Sequence, residues 1–163
     1  MKKKINDDLT LYFNDLYPYK NSNQKSIKKN LVTVGVGGNV GDVMQRFKKL
    51  FHAFNEDGRF SIVATSPILK NPPFGYLKQD YFYNSIIILK TDLSAKASLR
   101  AFQRYELRFK RIRTFQDAPR TLDIDIIFYN KIKLNTEELT IPHKGYKNRD
   151  SVLIPLTFLK DYF

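Results

Sequence analysis

Cysteine is absent from the 163 residues. That rules out disulfides, thiolate metal sites and cysteine nucleophiles. Long apolar runs are also missing, so no segment is expected to span a bilayer. The basic start MKKK leads into no apolar stretch, so no signal peptide is expected. Together these absences lead to the expectation of a cytoplasmic chain. Acidic charge is scarce: 16 Asp+Glu stand against 28 Lys+Arg, a net charge of +12. Such a balance suits an anionic partner, whether nucleic acid, a membrane surface or a polyphosphate ligand. What is present is enough for a core. Hydrophobic residues make up 42% and aromatics 14%, and the length suits one folded domain.

The basic residues fall into two clusters. Residues 1–30 carry seven lysines against three aspartates, flanked by polar residues, and read as a solvated tail. Residues 100–120 carry seven Lys/Arg, mostly arginine, against Glu106 and Asp117. Arginine presents a planar fork to phosphate oxygens, so the second cluster is the more suggestive.

Along the chain, residues 1–30 read as an N-terminal extension. Its LTLYFNDLYPY segment can pack, while Pro18 and the NSNQKS run suggest a loose linker. From Leu31 the alternating, β-branched LVTVGVG predicts a strand. Gly37, Gly38 and Gly41 predict a tight turn, and Asp42 a cap for the helix VMQRFKKLFHAF. Phe47, Leu50, Phe51 and Phe54 follow helical spacing. A second strand is expected over 61–67 and a third around SIIIL (85–89). Ser94 should cap a helix whose stripe is Leu99, Phe102, Tyr105 and Phe109. The DID strand within PRTLDIDIIFYN, a short NKIKL strand after a turn at Asn130 and a last helix from near Arg149 toward Leu159 complete the chain. The order βαββαβ predicts an α+β, ferredoxin-like antiparallel sheet with helices packed on it. The expected division is an extension over 1–30 and a domain over 31–163. Two long connections, 67–81 and 110–119, are candidates for functional loops that close over one sheet face.

The segment PRTLDIDIIFYN (119–130) carries the chemistry. Residues two apart on a strand share a face, so Asp123 and Asp125 point one way and Leu122, Ile124 and Ile126 the other. Paired carboxylates repel unless something positive sits between them. Mg²⁺ suits such a pair, because it keeps several waters and takes one or two carboxylates plus substrate phosphates. The plainer alternative is a solvated strand whose polar face carries aspartate. Arg111, Arg113 and Arg120 flank the pair, a constellation suited to phosphoryl transfer. Nucleic-acid backbone binding competes for the same arginines, but the aspartates count against it.

Other signals are weaker alone. GVGGNVGD lacks the lysine of a phosphate-binding P-loop and reads as a strand-to-helix turn. Gln103 and Glu106 share a helix face, which in isolation reads as a solvated one. His52 reads as packed or surface. His143, after Pro142 in a loop with Lys144, Lys147 and Arg149 nearby, can contact phosphate or bond the backbone.

Taken in order, GGNVGD, PPFG, the Asn84 strand, QRYELRFKRIR, APRTLDIDIIFY and LTIPHKGYKNRDSVLIPL resemble the 6-hydroxymethyl-7,8-dihydropterin pyrophosphokinase family over about residues 31–160. The resemblance implies transfer of pyrophosphate from ATP to the hydroxymethyl group of the reduced pterin, in folate biosynthesis, with AMP leaving. It implies two Mg²⁺ ions on Asp123 and Asp125, and Arg111 and Arg120 as catalytic residues that neutralise the phosphates. Gln103, Glu106, Arg113, Ile126, Leu139, Thr140, His143 and Arg149 match ATP-side positions. Asn71, Pro72, Phe74, Phe82 and Asn84 match the pterin pocket. The partners implied are ATP and the pterin, with neither nucleic acid nor membrane, in a monomer.

Three positions depart from the family pattern. The chain has no tryptophan where the family often has RWGPRT, and its loop is one residue shorter. Ser151 stands where an aromatic usually closes the second face of the pterin. Lys144 replaces a common aromatic beside the histidine. Phe115 is a candidate for the first gap, and Tyr146 or Phe74 for the second. Two other readings accompany the enzyme: a pterin- or nucleotide-binding protein without turnover, and a basic nucleic-acid-binding module.

Overall fold

The structure is a computed structural model that describes residues 1–23 and 25–163. Gln24, inside the NSNQKS run read as a linker, lies outside the described residues. Ten strands and three α-helices follow one another as β1 (Lys2–Lys4), β2 (Thr10–Tyr12), β3 (Tyr19–Lys20), β4 (Asn30–Gly38), α1 (Val43–Glu56), β5 (Phe60–Thr65), β6 (Ile68–Asn71), β7 (Phe82–Thr91), α2 (Ala95–Arg108), β8 (Asp123–Tyr129), β9 (Leu134–Asn135), β10 (Thr140–Ile141) and α3 (Asp150–Thr157) among the described residues.

The central strands run β5–β7–β4–β8, all antiparallel, with α1 following β4 and α2 following β7. This is the α+β arrangement that the element order predicts. Along one edge of β7, β6 pairs with Phe82–Asn84 and β5 with Ile87–Thr91. The two short strands therefore act as one bent strand. At the bend, Ser66 N–H donates to Ile86 O at 2.9 Å and Ile86 N–H to Ser66 Oγ at 2.9 Å.

Period-two alternation gives the sheet two different faces. Val32, Val34, Val36, Ile87, Leu89, Leu122, Ile124 and Ile126 join the buried cluster with Phe47, Leu50, Phe54 and Phe102 of α1 and α2. Asp42 Oδ1 accepts from Gln45 N–H and Ser94 Oγ from Ala97 N–H, so both helices start at the expected caps. The opposite face carries Ile86, Ile88 and Ile127 against Val152 of α3. Beyond α3 that face is free to hold a site.

Four details differ from the sequence reading. Gly37 and Gly38 are the last residues of β4, and only Gly41 of that run has positive φ, +72°. β6 lies inside the connection read as 67–81, because tertiary pairing overrides its flanking prolines, Pro67 and Pro72, and its short length. NKIKL is a turn at Asn130 and Lys131, and only its Leu134 enters a strand, Leu134–Asn135, paired with Thr140–Ile141. The N-terminal extension is built into the sheet: β2 pairs with β6, β3 with β5, and Tyr17 is fully buried, donating from its hydroxyl to Phe47 O at 2.8 Å.

Candidate active site

The site forms where β4 runs between β7 and β8. Gly37 is paired with Asn84 on one side and Asp123 on the other. A Cβ on Gly37 would run into Asn84 Oδ1 and stand 2.8 Å from Asp123 Oδ1. Both side chains therefore lean across the bare backbone of one glycine. In the next row on this face, Gly35 is paired with Ile86 and Asp125. Asp123 and Asp125 thus share a face, as period two requires, while Ile124 and Ile126 point into the core.

Arg120 reaches this row from the segment before β8. Its Nη1 donates to Asp123 Oδ2 at 3.0 Å and its Nε to Ala118 O at 3.0 Å. The guanidinium carbon lies 5.1 Å from the centre of the buried Phe82 ring, within cation–π reach. Asn84 Nδ2 donates to Asn71 Oδ1 at 2.7 Å, and Asn71 Nδ2 to Pro72 O at 2.9 Å. Asn71, Pro72, Phe82 and Asn84, expected on the pterin side, are thereby brought together beside the carboxylates.

Glu106 is not the solvated residue its helix position suggests. It is 5% exposed. Its Oε1 accepts from Arg111 Nη1 at 3.2 Å and from the Ile124 N–H at 3.0 Å, and its Oε2 from Arg113 Nη2 at 3.0 Å. Because β8 is an edge strand, Ile124 turns its N–H outward, and the carboxylate takes it. One buried group thus ties two arginines to the strand that bears Asp123 and Asp125. Burial pushes the Glu106 carboxyl up, against the pull of that N–H and the two arginines.

Asp125 is pushed up to about 7, first by close-packed protein atoms, then by the Asp123 and Glu106 carboxylates. Its side chain still meets solvent, so a cation can reach it. That environment fits a hard divalent ion: two carboxylates share one face, crowded with like charge, and Asp125 is open to solvent. No third Asp, Glu, His or Cys completes a protein-only metal cluster among the described residues. The remaining ligands would be water and phosphate oxygens, the pattern that suits Mg²⁺.

His143 is half-buried, and its Nδ1 accepts from the Gly145 N–H at 3.2 Å. Burial and the Arg149 charge lower its pKa, so the ring is neutral at pH 7 and its remaining proton sits on Nε2. Arg149 lies over the Phe74 ring at 4.8 Å, joining an ATP-side position to a pterin-side one. Gln103 is exposed on α2, Ile126 and Leu139 are buried, and Thr140 is half-buried in β10.

The two long loops meet. The Tyr76 and Phe115 rings lie 5.1 Å apart edge to face, and Gln79 Nε2 donates to Asp117 O at 2.8 Å. Asn39, which the sequence reading passed over, sits at their root. It is buried, accepts from Arg120 N–H at 3.0 Å through Oδ1, and donates from Nδ2 to Gln79 Oε1 at 2.9 Å and Asp80 O at 3.0 Å. Its position after two glycines was the available signal. Tyr146 is committed to the Phe128 ring at 5.1 Å, whereas Phe74 is 63% exposed. A larger cleft of 1060 Å³ opens at the far end of this face, between Phe128 and α3. None of the site residues lines it, so chemistry rather than size picks out the site.

Comparison with known proteins agrees with this geometry. The family model for 7,8-dihydro-6-hydroxymethylpterin-pyrophosphokinase matches residues 33–161. Over 140 residues the chain is 40% identical to the 2-amino-4-hydroxy-6-hydroxymethyldihydropteridine pyrophosphokinase of Campylobacter jejuni, covering 86% of this chain and 88% of that protein. The Helicobacter pylori protein of the same name is 43% identical over 136 residues, 82% of this chain and 83% of its own length. The folic acid synthesis protein FOL1 of Dictyostelium discoideum is 35% identical over 145 residues, which are 88% of this chain and 22% of that longer protein. With family match and relatives both spanning most of its length, the chain belongs to the 7,8-dihydro-6-hydroxymethylpterin-pyrophosphokinase family.

Proposed function

We propose that the chain transfers pyrophosphate from ATP to the hydroxymethyl group of 6-hydroxymethyl-7,8-dihydropterin, with Mg²⁺, releasing AMP and the pterin diphosphate for folate biosynthesis. The observation that carries this reading is the Asn84–Gly37–Asp123 row. It sets an amide able to read a pterin edge beside a carboxylate able to hold a phosphate-bound cation.

The contacts support a role for each residue. Asn84 and Asn71, already joined, present amide donors and acceptors to the pterin edge. Phe82 and Phe74 offer ring faces, and Phe74, being exposed, is the better candidate for the face that Ser151 leaves open. Asp123 and Asp125 would hold Mg²⁺, two ions by family pattern, which when bound would neutralise and orient the phosphate oxygens. Arg111, Arg113 and Arg120 are fixed by Glu106 and Asp123, so their charge is in place before the reaction. Arg111 and Arg120 act on the transferred phosphates. The neutral His143 would offer its Nε2–H as a hydrogen bond to a phosphate oxygen, and Arg149 adds charge nearby. Gln103 and Thr140 complete the ATP side with accessible side chains, whereas Ile126 and Leu139, whose side chains are in the core, could serve it only through their backbone. The loop contacts at Tyr76–Phe115 and Gln79–Asp117 would keep bulk water from the transferred group. The catalytic domain is taken as residues 31–163, acting as a monomer in the cytoplasm; no described helix is long and apolar enough to cross a membrane.

The test is AMP formation by purified protein given ATP, Mg²⁺ and 6-hydroxymethyl-7,8-dihydropterin. AMP should appear only with all three and should vanish in Asp123→Ala and Asp125→Ala. Full activity in either variant would overturn the metal assignment. Binding of both ligands without AMP would overturn the transfer reaction.

A further inference from the structure

Residues 1–13 lie outside the span matched by the family model, yet they touch both ends of the loop that follows β6. We infer that this N-terminal hairpin is a positioning element for the pterin side of the site, acting through β6 and through a contact between Asp8 and Tyr81. The inference rests on the pterin assignment above.

β6 needs a partner on its outer side, since β7 pairs with only one of its edges. β2 supplies it: Thr10 is paired with Lys70, Leu11 with Leu69 and Tyr12 with Ile68. β1 then covers β2. Leu9, Leu11 and Leu69 form a small buried cluster, with Phe13 and Ile154 of α3 against it. Asn71 is the residue directly after this braced segment, and it holds Asn84 at 2.7 Å. Bracing β6 therefore fixes the amide pair.

The far end of the loop is held as well. The Tyr81 hydroxyl donates to Asp8 Oδ1 at 2.9 Å, and Tyr81 immediately precedes Phe82. Asp8 sits in a turn fixed from within, because Asn6 Oδ1 accepts from the N–H groups of both Asp8 and Leu9 at 2.8 Å. Loop 72–81 is thus pinned at its start by β2 and at its end by Asp8. Most ATP-side groups are fixed elsewhere: Arg111 and Arg113 on Glu106, and His143 on Gly145; Arg149 alone meets this loop, over the Phe74 ring. A loosened hairpin should weaken pterin binding well beyond any effect on ATP binding.

Calorimetry on the full chain separates these effects. The pterin is titrated into protein saturated with a non-hydrolysable ATP analogue and Mg²⁺, and the analogue is titrated separately. Asp8→Ala and Tyr81→Phe should each weaken the pterin about fivefold, the scale of one ordinary solvent-exposed hydrogen bond. The double variant should lose no more than either single one. Asp8→Asn keeps a carbonyl acceptor and should stay within about twofold of the parent. Amide exchange over residues 69–84 should speed up in Asp8→Ala and not in Asp8→Asn. Unchanged pterin affinity in both single variants, or analogue affinity falling in step with it, would overturn the inference. A parent protein that takes the analogue but no pterin would instead overturn the pterin assignment, and the inference with it.

Discussion

Asn84 and Asp123 face each other across the backbone of Gly37, one on β7 and one on β8. Only hydrogen at Gly37 leaves room for both, since a Cβ would strike Asn84 Oδ1 and crowd Asp123 Oδ1. Both obstacles are ends of side chains, so Gly37→Ala should move them aside rather than unfold the sheet. The variant should keep its stability within about 1 kcal/mol and lose at least tenfold in turnover. Thermal unfolding and AMP release measure the two. A drop in stability with normal specific activity would mean that the glycine serves packing, not the site.

Glu106 is the second dependency. Removing its charge leaves Arg111, with a side chain 14% exposed, without its buried partner, while Arg113 is 68% exposed and can turn to water. Glu106→Gln should therefore cost about 1–3 kcal/mol, less than the loss of a fully buried pair. It should also lower turnover and ATP affinity together, because both arginines lose their anchor. Chemical denaturation and ATP-analogue titration test this. Normal ATP affinity in the variant would separate Glu106 from the ATP side.

The helices, the aspartate strand and the block order were readable because each carries its own local signal. Asp42 and Ser94 are caps with side-chain oxygens at the right place. Asp123 and Asp125 alternate with core aliphatics. The features that escaped depend on partners distant in sequence. β6 looks like loop between Pro67 and Pro72, and becomes a strand by pairing with β7 and β2. Gly37 carries a turn signal, but its job is close approach between neighbouring strands. Lys2–Lys4 has no alternation at all and is a strand because β2 offers an edge. Glu106 looks solvated on a helical wheel; Arg111, Arg113 and Ile124 come to it only in the folded chain.

The C-terminus of α1 should give the protein an acid-sensitive element. Asp57 accepts from Arg59 Nη2 at 2.7 Å and from the Tyr105 hydroxyl at 2.7 Å, joining α1 to α2. The Arg59 hydrogen bonds bring its pKa down from 3.8 to about 2; burial opposes them and the Tyr105 hydroxyl adds to them. A carboxyl whose folded pKa is depressed stabilises fully above its unfolded value and loses that contribution as pH falls through the folded one. Asp57→Asn should thus be less stable than the parent by about 1 kcal/mol at pH 7, after allowing for solvent screening. The gap should close between pH 4 and pH 2. Denaturation curves at pH 7 and pH 2 measure it, and an equal gap at both would mean that charge plays no part.

Asn39 joins the two loops through one buried amide, and its three bonds can be removed selectively. Aspartate at this position keeps the acceptor for Arg120 N–H but cannot donate to Gln79 Oε1 or Asp80 O. It would also set a carboxylate against that carbonyl and amide oxygen. Alanine removes all three bonds and leaves the Arg120 N–H and the Asp80 carbonyl without this partner, at about 1–3 kcal/mol for each group that stays buried and unpaired. If the amide couples the loops, Asn39→Asp should free loop 72–81 while Arg120 stays in register. If it merely fills space, Asn39→Asp should behave like the parent. Amide exchange distinguishes the two: faster exchange over 76–81 with residues 120–124 still protected is the expected result. Turnover should fall in step, because Arg120 would keep its bond to Asp123 while the loop that carries Phe74 no longer closes over it.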